Sequence, residues 1–346
     1  MKYSLKICYR FCLPSLVKTL SLLVLVFLFT QCDDSSKKRP SIKKEVEPEI
    51  QVDVPSFNED SAYAFIEQQV AFGPRVPGTD PWRECADYLV KQLESAAFEV
   101  TVQEAEVKIY DGTPVPMKNI IGRWKPELTS RILLFAHWDT RPFADKDNSR
   151  KNEPIDGAND GGSGVGVILE IARTLGIAEK LPNIGLDVIF FDVEDWGEPE
   201  GSYTASSSST YCLGSQYWAN NPPIPNFRPR YGILLDMVGA ADGLFVYEEY
   251  SMTYAKHVAQ KVWKRAAKLG HQKLFLARQV GFQVMDDHYY VNEVARIPSI
   301  DIIEFNPQTR SFGKYHHTHD DNMEVIYKPT LKAVGQTLLE VIYREK

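Results

Sequence analysis

Three nearly unbroken apolar runs in this chain stop on charge. "RILLFAHWD" (131–139) closes on His137 and Asp139, and "IGLDVIFFDVED" (184–195) closes on Glu194 and Asp195. "YGILLDMVGA" (231–240) carries Asp236 as its apolar stretch fades. A strand with one wet face alternates between apolar and polar residues. A strand that does not alternate is covered on both sides, as in a sheet packed between helices. Helical patterns lie around these runs: "SAYAFIEQQVAF" (61–72, with Ser61 as cap), "RECADYLVKQLESAAF" (83–98) and "SGVGVILEIARTLG" (163–176), the last apolar nearly all round. "YAKHVAQKVWKRAAKLG" (254–270) ends at a glycine, and "TLKAVGQTLLEVIY" (330–343) places Leu331, Val334, Leu338 and Val341 on one stripe. "KNIIGRW" (118–124) and "IPSIDIIEF" (297–305) are further β-like runs, and "RVPGTDPW" (75–82) reads as a turn-rich break. The expected fold is α/β in a single domain, its sheet covered by helices on both faces.

The N-terminal segment is set apart from this pattern. Lys2, Lys6, Arg10 and Lys18 form a basic region without acids, and residues 20–29 are apolar. A run of that length falls short of the roughly 20 residues that span a bilayer, so residues 1–31 read as a signal peptide. "LFTQC" followed by "DDSS" resembles a bacterial lipoprotein cleavage box, which implies lipidation of Cys32 and membrane attachment facing the periplasm of a Gram-negative bacterium. A secreted protein cleaved nearby is the other reading. Residues 32–55, with Pro40, Pro48 and Pro55, read as a flexible tether, and residues 56–346 as the functional domain.

Loss of the signal's four positive charges takes the net charge from −7 to −11. An acidic chain without a basic stripe is a poor nucleic-acid binder. Cys8 and Cys12 leave with the signal, so only Cys85 and Cys212 remain besides Cys32. Two thiols build neither a disulfide framework nor a metal cluster; they read as buried thiols, with one disulfide as the alternative. "GEPEGSYTASSSST" (197–210) reads as a mobile surface loop.

In open α/β sheets, ligand sites form beyond the carboxyl ends of the strands. His137, the pair Glu194–Asp195 and Asp236 all fall there. Asp160 lies in "GANDGGSG" (157–164), whose glycines permit unusual turns, and "HHTHDD" (316–321) holds three of the seven histidines. Each element alone has an ordinary reading as a cap, a surface pair or a solvated loop. Their coincidence at strand exits points to a zinc site with an open position.

At these residues the sequence resembles a known family. "AHWD", "GANDGGSGV", "FFDVED", "LLDMVGA", "DDHYY" and "HHTHDD" are similar, in order, to the motifs of the M28 zinc aminopeptidase superfamily. Within it, the chain resembles the bacterial glutaminyl cyclases of animal type, from about residue 60 onward. The resemblance implies an α/β sandwich around a mixed, twisted sheet. It also implies one zinc ion per chain held by Asp160, Asp195 and His317, with Asp195 standing where the family's pattern has Glu. The implied reaction converts the N-terminal glutamine of a peptide to pyroglutamate with release of ammonia. Glu194 would be the proton shuttle, with Asp236 and Asp286 holding the amine.

The animal enzymes place a tryptophan where this chain has His316, so Trp196, Val284 and Phe312 are the candidates for the substrate wall, each with local packing as an equal alternative. His316 and His319 are expected to support the site or face solvent, and Arg141–Asp145 to be a structural salt bridge. A monomer is expected. Two other readings stand beside this one. A two-zinc aminopeptidase would use His137 and Asp236 for a second metal with Asp160 bridging; Asp286, where those enzymes usually offer a small residue, argues against it. A peptide-binding lipoprotein without turnover would have no use for Glu194.

Overall fold

The apolar runs become neighbouring parallel strands in a computed structural model that describes residues 52–202 and 207–346. The expected signal peptide, Cys32 and the tether up to residue 51 lie outside the described residues, as do residues 203–206 of the Ser-rich loop. In chain order the strands are β1 (Glu99–Lys108), β2 (Pro114–Trp124), β3 (Arg131–His137), β4 (Gly185–Phe191), β5 (Gly232–Asp236), β6 (Phe245–Tyr247), β7 (Phe275–Gln279) and β8 (Ser299–Ile303). The helices are α1 (Glu59–Ala71), α2 (Asp80–Ser95), α3 (Gly162–Ile177), α4 (Leu213–Asn220), α5 (Glu249–Tyr254), α6 (Lys256–Lys268), α7 (Asp287–Glu293) and α8 (Lys328–Tyr343).

Six strands form a mixed sheet in the order β1-β2-β4-β3-β5-β8, and β6 pairs with β7 apart from it. β4, β3, β5 and β8 run parallel, while β1 and β2 are antiparallel additions at one edge. The unbroken apolar pattern is explained by the two cores. Ile132, Leu134 and Ala136 of β3 face one side, where they join residues of α1, α2, α3, α6 and α8. Leu133 and Phe135 face the other, with Trp218 of α4 and Val291 of α7. Each buried Leu, Ile or Phe contributes about 1.5–3 kcal/mol. The sheet is therefore anchored from both sides up to the ends that carry the charged residues.

Several boundaries differ from the sequence reading. α1 starts at Glu59 because the Asn58 carboxamide accepts the N–H groups of Asp60 and Ser61; Ser61 is inside the helix. α2 begins within the presumed break, since Thr79 caps it and Pro81 suits a first turn. The run 254–270 is interrupted at Ala255, which divides α5 from α6. β1 carries no apolar signature because its residues are mostly exposed and polar. Residues 199–202 of the Ser-rich loop are open to solvent in part, but Gly197 and Glu198 are buried.

Gly164 explains how α3 reaches the strand ends. A Cβ there would lie 2.1 Å from the Leu235 carbonyl oxygen and 2.9 Å from the Ala136 side chain. Only glycine lets the first turn of α3 press against β3 and β5 this closely, so the loop carrying Asp160 is held over their exits.

Candidate active site

The turn after β4 separates its two acids. Val193 adopts a left-handed φ of 52°, and the buried Asp139 carboxylate then accepts the N–H groups of Glu194 (3.1 Å) and Asp195 (3.2 Å). Asp195 Oδ1 faces His317 Nε2 at 3.2 Å and Arg141 Nη1 at 3.1 Å. Glu194 turns elsewhere: its Oε1 accepts the Cys212 thiol at 3.2 Å, and Asp286 lies in the same group of side chains.

Asp160 is positioned from far along the chain. The Asp321 carboxylate accepts the N–H of Asn159 at 2.8 Å and that of Asp160 at 3.0 Å. Asp160 Oδ1 then stands 3.1 Å from His137 Nε2, and its Oδ2 is 3.9 Å from His317 Nε2. Gly161, at φ 89°, passes so close that a Cβ would lie 2.6 Å from the Asp139 carbonyl oxygen. His317 itself has φ 60°, and its Nδ1 is 3.5 Å from Asp145, whose carboxylate is paired with Arg141 at 2.6 Å. The Arg141–Asp145 pair is thus more than a loop brace: it contacts both Asp195 and His317.

Donors about 2.0–2.2 Å from a tetrahedral zinc ion stand about 3.4 Å apart. The separations of His317 Nε2 from Asp195 (3.2 Å) and Asp160 (3.9 Å) bracket that value. Asp160 Oδ2 and Asp195 Oδ2 are buried and have no hydrogen-bond partner among the described residues, which is the condition of carboxylate oxygens awaiting a cation. The residues present fit a zinc ion.

His316 is not solvent-facing. It is buried and stacks on His317 with ring centroids 3.7 Å apart. Its Nδ1 lies 2.6 Å from the Lys146 ammonium, and burial holds its pKa well below the usual histidine value. Nδ1 therefore accepts from Lys146, leaving the ring's proton on Nε2, the nitrogen nearer Asp160. That tautomer cannot offer Nε2 to a metal. His319 hydrogen-bonds Asp147 outside the site.

The residues that would hold a second metal also meet. His137 Nε2 is 3.1 Å from Asp160 and 3.3 Å from Asp236, with Asp139 3.5 Å from Nδ1. Burial opposes a charge on this imidazole, but these carboxylates outweigh it and raise its pKa well above the ordinary value. Burial likewise pushes the carboxyls of Glu194, Asp236 and Asp286 upward, and neighbouring acids add to the shift in each.

A pocket of about 250 Å³ opens over these groups. Asp160, Glu194, Asp195, Asp236, Asp286 and His317 all line it, as do Val284 and Phe312. Trp196 does not: it packs against the cluster of Ile109, Val115, Met117 and Val193 beside β1 and β2. The turn that sends Glu194 inward and the residue two places on outward is invisible in the sequence. His316 lines the pocket too, and Lys146, Tyr211, Met237, Met285 and Ile303 complete the wall; Met237 and Met285 each adjoin a noted acid, which is the signal the sequence offers for them. The Asp321 clamp appears only in three dimensions, whereas Cys85 and Cys212 are the buried free thiols that the sequence led us to expect.

A model of peptidase family M28 matches residues 119–342, from β2 through most of α8. The chain belongs to peptidase family M28. Among solved M28-like structures, glutaminyl cyclase from Tannerella forsythia is 51% identical, with a TM-score of 0.81 over 84% of this chain and 100% of its own. Glutaminyl cyclase from Bacteroides thetaiotaomicron, bound to N-acetylhistamine, is 49% identical, with a TM-score of 0.82 over 85% of this chain and 100% of its own. A leucine aminopeptidase precursor from the same organism is also 49% identical, with a TM-score of 0.81 over 86% and 100%. Aminopeptidase YwaD of Bacillus subtilis is 28% identical over 252 residues, 70% of this chain and 47% of its own; the chain spans about half the length of that curated relative. The M28 fold and its dependence on zinc agree with the α/β sheet and the acid-histidine pocket described above.

Proposed function

We propose that this chain is a zinc-dependent glutaminyl-peptide cyclotransferase, which closes the N-terminal glutamine of a peptide to pyroglutamate and releases ammonia. The observation that carries the reading is Asp286, an acid in the pocket wall beside Glu194 and Asp236. A cyclase needs such an acid to receive the substrate amine.

Asp160, Asp195 and His317 would hold one zinc ion per chain. Bound there, zinc supplies Lewis acidity to the side-chain amide carbonyl of the substrate. The α-amine is tethered to that carbonyl, so ring closure is intramolecular and profits from proximity. Asp286 and Asp236 accept N–H groups of the amine and aim its lone pair at the carbonyl carbon. Glu194 takes a proton from the attacking nitrogen as the new C–N bond forms. It returns the proton to the departing amide nitrogen as the old C–N bond breaks, and ammonia leaves. Val284 and Phe312 cover the glutamine methylenes. The solved glutaminyl cyclases that cover nearly the whole of the described domain support this reading. The N-terminal sequence supports an exported enzyme, anchored through lipidated Cys32 at a membrane facing the periplasm.

A two-zinc aminopeptidase is the second reading, favoured by the His137–Asp160–Asp236 cluster and by the leucine aminopeptidase precursor. Metal content and two assays on the purified protein separate them. One zinc with ammonia release from a Gln-initiated dipeptide supports the cyclase. Two zincs with cleavage of leucine p-nitroanilide would transfer the assignment to the peptidase.

A further inference from the structure

We propose that a cationic, aromatic-floored subsite beside the catalytic pocket selects substrate peptides with an acidic side chain at the second or third residue. The inference rests on the cyclase reading and names the peptides that this enzyme prefers.

A second pocket, of about 410 Å³, shares two wall residues, Lys146 and Phe312, with the catalytic one. Its floor is built from rings. Phe282 and Phe305 stack with centroids 3.7 Å apart and planes 13° from parallel, and Phe312 stands edge-on to Phe282 at 5.8 Å. Phe282 and Phe305 are buried, so the floor is fixed before any peptide arrives. Among the described residues, Lys146 and Arg310 are the charged ones of the wall, and no carboxylate lines it. Glu249 lies close to Gly281 but outside that wall.

The two pockets have opposite character. Five carboxylates line the catalytic pocket, and the chain as a whole is acidic, so a wall with two cations and no acid stands out. Arg310 is held by donating from Nη1 and Nη2 to the carbonyls of Val280 and Gly281, each at 3.2 Å. A guanidinium has five N–H donors, so these two bonds fix the group and leave others for a carboxylate. Lys146 is steadied by its bond to His316 Nδ1.

A pocket of about 250 Å³ holds a glutamine residue and little more, so the rest of the peptide must leave across a shared edge. The edge formed by Lys146 and Phe312 leads into the second pocket. A substrate whose amine enters among acids and whose next side chains carry negative charge matches this sequence of surfaces. A lysine at the same place would meet two like charges.

The test uses the zinc-loaded full chain and five C-terminally amidated tripeptides: Gln-Ala-Ala, Gln-Glu-Ala, Gln-Ala-Glu, Gln-Lys-Ala and Gln-Ala-Lys. Ammonia release is followed to obtain kcat and KM. At least one Glu peptide should show a KM about tenfold below its Lys counterpart, the size expected of two exposed charge contacts. The kcat values should agree within about twofold, and the preference should fade in about 0.5 M NaCl. Arg310→Ala should shrink the preference to about threefold while leaving Gln-Ala-Ala turnover unchanged. Equal KM values across the unaltered protein's series would overturn the subsite, and full preference retained in Arg310→Ala would overturn the part assigned to that residue. If none of the five peptides is cyclised while leucine p-nitroanilide is cleaved, the cyclase reading itself fails and takes this inference with it.

Discussion

Asp321 holds Asp160 in place from 161 residues away, its Oδ2 accepting the Asp160 N–H at 3.0 Å while Oδ1 accepts that of Asn159 at 2.8 Å. The contact joins the glycine-rich loop to the histidine cluster. Partners that orient a ligand in this way typically change metal affinity 10–100-fold when altered. Asp321→Asn keeps the shape but turns one acceptor into a donor opposite an N–H. We expect zinc affinity to fall by about that factor, measured by competition with a chromogenic chelator, and unchanged affinity would show that the clamp does not orient Asp160.

Glu194→Gln should abolish turnover while leaving zinc in place. The residue points away from His317, toward Cys212 and Asp286, so its amide disturbs no proposed ligand. Loss of a general acid–base group costs about 10²–10⁴ in rate. Metal analysis of the variant alongside its kcat is the check. A protein that lost its zinc would mean the adjacent acids have exchanged roles.

Trp196 and Phe312 should separate cleanly. Trp196 packs beside Ile109 and Met117, so Trp196→Ala should lower stability by about 2–4 kcal/mol and leave KM for a Gln dipeptide unaltered. Phe312 lines the pocket, so Phe312→Ala should raise KM several-fold. Urea titration and steady-state kinetics on both variants decide it, and a Trp196 variant with raised KM would return that ring to the substrate wall.

Glu248 gives a pH signature. It is fully buried at the start of α5, accepts the N–H groups of Tyr250 and Ser251, and lies 3.1 Å from His288 Nε2. Burial works to raise its pKa, but the bond to His288 and the backbone donors prevail and lower it below the usual glutamate value. A depressed carboxyl stabilises the fold above its unfolded pKa and loses that contribution as pH falls through the folded value. Glu248→Gln should therefore cost about 3–5 kcal/mol near neutrality. The gap in Tm between wild type and variant should narrow as pH drops below about 4.5. A gap that stayed constant from neutral pH down to about pH 2.5 would contradict this account.

The strand exits were legible because their chemistry is local. Ile132, Leu134 and Ala136 face one core while Leu133 and Phe135 face the other, and a run with no wet face ends abruptly where the sheet ends. His137, Glu194, Asp195 and Asp236 could be placed at one edge on that ground alone. β1 was not legible, since an exposed edge strand reads like a polar loop. Trp196 was misplaced because it follows Glu194 by two positions across a turn governed by Asp139, a residue on another strand's exit.

By itself, the sequence determined the alternation of covered strands and helices and the supply of acids and histidines for a metal. Those properties follow from the order of apolar and charged residues along short stretches. Only the tertiary structure decided that Asp321 orients Asp160, that His316 leans on Lys146 instead of water, and that a cationic pocket adjoins an acidic one. Each depends on side chains far apart in the chain, whose separation is set by how the layers pack.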